Sequence, residues 1–140
     1  VAPRGARDKV AEIVPVDACE PSFGDPAVKF LPVAGTDERE GALLVRRAKG
    51  TTLVVNDLIG NIRDAHGFGG WLLRKMKFAG GSPQVPSPVK IAMLKDPAAF
   101  RAQLLQWSEI DGLRRILVSH GESIETNAAQ ALKDLAASLQ

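Results

Sequence analysis

Two residues of this 140-residue chain combine a chemistry-bearing side chain with a position from which a fold could present it. Asp57 closes the run Thr51-Thr52-Leu53-Val54-Val55-Asn56-Asp57, and His120 follows Ile116-Leu117-Val118-Ser119. Both runs are apolar and rich in β-branched residues, as buried strands are. A side chain at the end of such a strand is held rigidly toward a crevice, where ligands of layered α/β domains sit. A carboxylate suits a hard or borderline metal ion, and neutral imidazole is the commonest nitrogen ligand for zinc or iron. Gly121 permits a tight turn directly after His120. Each residue also has a simpler reading. Asp57 could cap the following turn, as Asn-Asp pairs do, and His120 could be a hydrogen-bonded structural residue. Two strand ends, one with Asp and one with His, favour a shared site.

The remaining candidates rank below this pair. His66, before Gly67, reads as solvent-exposed. Gly67-Phe68-Gly69-Gly70 lacks the context and spacing of a phosphate loop and reads as a hinge. Ser119 beside His120 does not make a nucleophile–base pair, because neighbours on a strand point to opposite faces. Arg74, Lys75 and Lys77 read as the solvated face of a helix. Their secondary reading is an anionic partner or membrane surface, with Trp71, Leu72, Met76 and Phe78 as the apolar side. Cys19 falls in a Pro-rich loop and is read as incidental.

The elements that must position Asp57 and His120 follow from pattern. Residues 10–16 read as a short strand, residues 19–26 as loop, and residues 28–33 as a second short strand with Pro32 marking an edge or end. A charged loop, residues 35–41, precedes a hairpin of residues 42–47 and 51–55 joined at Lys49-Gly50. Residues 71–78 suggest a short amphipathic helix, and residues 80–88 a Gly/Ser/Pro loop. Asp96-Pro97 is a helix start, with Asp as N-cap and Pro at the first helical position. Phe100, Leu104 and Trp107 continue it at helical spacing, Asp111-Gly112 ends it, and residues 116–118 form a strand. A last helix, about residues 127–139, places Leu132, Leu135 and Leu139 on one face, with Asn127 and Gln130 as a reciprocal cap. The sum is an α/β domain, a mixed β-sheet packed with helices.

Composition narrows the function classes. Apolar content of 45% and charged content of 24% are those of an ordinary globular domain, and 140 residues suffice for one core. A formal net charge of +2 gives no footprint for nucleic acid. A single cysteine can form neither an internal disulfide nor a Cys-rich zinc site, which suits a reducing, cytoplasmic setting. No apolar run reaches the ~18 residues of a membrane span, and no signal peptide is visible at the start. The chain begins with Val rather than Met, which hints that residues upstream were removed or are not recorded.

Taken together, Gly35…Gly41-Ala-Leu-Leu-Val, Gly50-Thr-Thr-Leu-Val-Val-Asn-Asp57 and Ile116-Leu-Val-Ser-His120-Gly121 resemble the carboxyl-terminal half of metallo-β-lactamase-fold hydrolases, over roughly residues 28–139. The resemblance implies half of an αββα sandwich. Asp57 would match the metal-bridging carboxylate and His120 the last ligand. It also exposes departures. The family's His-x-His-x-Asp-His cluster has no counterpart among His66 and His120, and the loop before the hairpin carries no His. Asp37 or Glu38 could substitute there as an oxygen ligand. A catalytic zinc needs about three protein ligands plus water, so a metal (zinc, iron or manganese) would require ligands from outside this segment.

The expected function is therefore a metal-dependent hydrolase-like domain with an incomplete metal site, acting on a small ester, thioester, amide or lactone. The alternative is a degenerate, non-catalytic relative acting through binding or assembly. In either case half a sandwich would expose an apolar face. That predicts self-association or a missing amino-terminal half.

Overall fold

The computed structural model describes residues 1–139 and is an α/β domain built on one mixed four-stranded sheet. The strands are β1 (Val28–Pro32), β2 (Gly41–Arg47), β3 (Gly50–Asn61) and β4 (Leu113–Gly121), in spatial order β1-β2-β3-β4. The first two pairings are antiparallel and β3–β4 is parallel. The predicted hairpin forms with Arg47 opposite Gly50, so Ala48 and Lys49 make the turn and Gly50 already belongs to the strand. A parallel pair cannot close through a tight turn. The crossover carries α2 (Gly67–Lys75), α3 (Ser87–Ala92) and α4 (Pro97–Ser108), and α5 (Ala128–Ala137) follows β4.

Alternation along the strands sorts the two faces of the sheet. Ala42, Leu44, Leu53, Val55 and Ile116 are buried beneath α4 and α5, with Phe100, Leu104, Trp107, Leu132 and Leu135 completing the core. Leu43, Val45, Val54 and Leu117 lie on the opposite side and are only partly covered. The nearly continuous apolar run of β3 suggested cover on both faces. Helices cover one, and the other holds a shallow groove of about 690 Å³ lined by Val45, Val54 and Leu117 and rimmed by Arg47, Arg114 and Arg115.

Several expectations are corrected. Residues 10–16 are not a strand: the amino-terminal segment forms a 3₁₀ turn (Arg4–Ala6) running into α1 (Arg7–Ala11). Short apolar runs are ambiguous between strand and helix, and this one finds no sheet edge to join. The glycines of residues 67–70 are not a hinge but the first turn of α2, where Gly70 packs directly on the backbone of Ala65 and leaves no room for a side chain. Ser87-Pro88 opens α3, so the loop read over residues 80–88 ends in a short helix. Asn127 precedes α5 in a left-handed conformation without a capping bond, and Gln130 donates to Asp134 instead. Asp96 caps α4 as expected, its carboxylate accepting from the Ala99 N–H at 2.9 Å. Among the described residues no helix is long and apolar enough to cross a membrane.

Candidate functional site

The sequence suggests that β3 ends at Asn56-Asp57. Instead the strand runs on to Asn61 through an irregularity. Between the pairs Val55↔Val118 and Gly60↔His120, β3 spends residues 56–59 where β4 spends only Ser119. Such a bulge bends the strand and redirects its side chains. Here Asn56 and Asp57 swing to the rim while Leu58 and Ile59 return to the core, 1% and 0% exposed. The two buried residues anchor the bulge, and the anchored bulge holds Asp57 in place.

β4 brings the partner. His120 Nε2 lies 2.8 Å from Asp57 Oδ1, and Ser119 Oγ donates to the same oxygen at 3.4 Å. An ionised carboxylate only accepts, so the Nε2–H of His120 is the donor, and in the neutral ring Nδ1 keeps its lone pair. Both side chains remain open to solvent, 47% for His120 and 39% for Asp57. The Phe78 ring meets the imidazole edge-on at 6.3 Å between centroids. Gly121 follows with φ +104, and its Cα lies against the Asn61 backbone so closely that any side chain would collide. The requirement for glycine is this close strand pairing, a stronger constraint than the tight turn the sequence suggested.

One contributor is invisible to residue-type reasoning. Glu40 precedes β2 and is 8% exposed. Its carboxyl is pushed up to about 7, first by burial and then by the negative charge of Asp57, with the Asn56 amide acting in the opposite sense. Continuing the β2–β3 register three residues beyond Leu43↔Val54 sets Glu40 opposite Asp57, so the hairpin alignment was the signal that could have found it. The loop acids named as substitutes, Asp37 and Glu38, are both exposed, and Glu38 reaches toward Arg4 at 3.6 Å. His66 stands exposed before α2, with no hydrogen bond to Asp57 or His120 among the described residues.

This end of the sheet thus holds two carboxylates and an imidazole, with no Lys or Arg paired to either carboxylate among the described residues. Oxygen and imidazole nitrogen donors suit a divalent ion in type. In number they fall short: among the described residues no group of three or more His, Cys, Asp and Glu side chains is arranged to hold a metal ion. The donors in direct contact are Asp57 and His120, and Glu40 is a further carboxylate whose charge is coupled to that of Asp57. Comparison with protein-family models gave no match, and comparison with curated proteins gave no relative.

Proposed function

We propose that the Asp57–His120 rim is the working end of a metallo-β-lactamase-like hydrolase domain whose metal site is incomplete within this chain. The observation that supports this reading most is that two separate strands deliver Asp57 and His120 to one accessible edge. Asp57 and His120 would be the metal ligands supplied by this chain, with the others coming from upstream residues or a second copy. A bound divalent ion supplies a polarised water at neutral pH. The chain's own groups do the positioning. The bulge holds Asp57, Asp57 orients the imidazole, and Nδ1 of His120, the nitrogen not engaged by Asp57, is the one that would be offered to a metal ion. Glu40, neutral over part of the physiological range, adds a carboxyl that can carry a proton beside them. An ester, thioester, amide or lactone is the matching substrate class, and the fold makes no choice among them. The half-covered sheet face beside Val45, Val54 and Leu117 is read as the face that the second sheet of such a sandwich would cover.

The test is calorimetric titration with Zn²⁺ and Mn²⁺. Because this chain supplies only two ligands, the expected result is weak but saturable one-to-one binding that is lost in both Asp57→Ala and His120→Ala. A second reading, a non-catalytic relative acting through binding or assembly, is favoured by the direct His–Asp bond, which a shared metal would have to open. Wild-type protein that takes up no metal at millimolar concentration would leave only that second reading.

A further inference from the structure

Helix α2 carries two apolar faces, and the fold uses only one. Gly70, Leu73 and Met76 turn inward at helical spacing, buried or half-buried. Phe68, Trp71 and Leu72 form a second stripe at i, i+3 and i+4, exposed by 80%, 48% and 43%. Within that stripe Phe68 and Trp71 stack with ring centroids 5.6 Å apart, and the Lys75 ammonium sits 5.2 Å from the Trp71 ring. Met76 and Phe78, read from the sequence as part of this apolar side, are half-buried. Phe68, in the glycine-rich run read as a hinge, takes their place.

Charge is segregated along the chain around the stripe. Every charged residue between Ala65 and Lys95 is a cation, namely Arg74, Lys75, Lys77, Lys90 and Lys95, although the whole chain is only +2. The remainder of the molecule is therefore net acidic. Ile91, 81% exposed in α3, adds another bare apolar side chain within the same cationic segment.

We propose that α2 docks on an anionic lipid surface. Trp and Phe favour the boundary between headgroups and acyl chains, and Lys and Arg beside them are drawn to the negative surface potential. The acid-free segment would turn toward the membrane and the acidic remainder away from it. This surface is independent of the Asp57–His120 reading.

The probe is vesicle co-sedimentation, run with phosphatidylcholine:phosphatidylglycerol vesicles at 3:1 and with phosphatidylcholine alone. Binding is expected only to the anionic vesicles, weakened by 0.5 M NaCl. Tryptophan emission should shift to the blue on binding. Trp107 is already buried, so the shift reports Trp71. The double variant Phe68→Ala/Leu72→Ala removes exposed side chains, so its melting temperature should match wild type while its bound fraction falls at least fivefold. Lys75→Gln/Lys77→Gln should lower binding to the anionic vesicles in the same direction. Equal sedimentation with both vesicle types, no sedimentation, or undiminished binding by the double variant would overturn the proposal. So would a wild-type oligomer, seen by light scattering, that the double variant abolishes without any vesicle binding, since the stripe would then belong to a second copy of this chain.

Discussion

Helices α4 and α2 carry the same kind of apolar pattern and meet opposite fates. In α4, Phe100, Leu104 and Trp107 are 0%, 0% and 5% exposed; in α2, Phe68 and Trp71 stand in solvent. The α4 helix begins with a capping carboxylate and a proline and packs along α5 over the sheet. The α2 helix begins with His66 and glycine, has no side-chain cap and holds three glycines in nine residues. Glycine lowers helix propensity, so α2 owes more of its order to its surroundings than α4 does. Aromatic residues at helical spacing therefore mark a core face only where a second layer meets them.

The largest expected effect separates the two helices outright. Phe100→Ala should cost about 3–5 kcal/mol in urea unfolding, because the ring is buried on all sides and leaves a cavity. Phe68→Ala should stay within about 0.5 kcal/mol of wild type. A comparable loss in both variants would mean that α2 is core after all, and the contrast would collapse.

Glu40 sharpens the contrast from the other side, since the burial that stabilises Phe100 penalises a carboxylate. The folded protein holds the Glu40 proton up to about pH 7, whereas the unfolded chain releases it near the ordinary value of 4.5. Between those values the native state binds more protons, so this group's contribution to stability falls as pH rises and levels off above about 7. The decline from pH 4.5 to 8 should be at most about 3 kcal/mol. Glu40→Gln should remove that slope and be the more stable protein at pH 8. If the curves of wild type and the Glu40→Gln variant ran parallel across this range, Glu40 would not be the buried acid described here.

The smallest effect concerns helix starts. Asp96→Ala should lower stability by about 1 kcal/mol through the lost bond to the Ala99 N–H. His66→Ala, which removes no capping bond, should change unfolding by less than about 0.5 kcal/mol. A cost for His66 matching that for Asp96 would show that α2 has a start signal beyond its tertiary packing.

Much of this fold is legible in the residues themselves. The hairpin, the Asp96-Pro97 start, the Phe100–Leu104–Trp107 stripe and the strand before His120 each repeat a local period, and local periods survive folding. The pairing of Asp57 with His120 could be anticipated because each comes directly after an apolar run that one sheet had to join, although β3 and β4 run past both residues, to Asn61 and Gly121. Glu40 could not be found by type, since a lone glutamate in a charged loop resembles every solvated acid. Its neighbourhood depends on a strand alignment counted three residues past the pairing of Leu43 with Val54.

What the amino-acid order determined unaided is the β2–β3 hairpin, the apolar centre of β4, the capped α4 and the buried faces of α4 and α5, because hydrophobic alternation and helix caps are properties of a few neighbouring residues. Only the tertiary structure decided that β3 passes through a bulge rather than stopping, that Glu40 loses its water beside Asp57, and that α2 keeps an apolar stripe uncovered. Those outcomes depend on which segments become neighbours across dozens of intervening residues. Burial, charge coupling and exposure are energies of neighbours in space, and a local pattern carries no record of them.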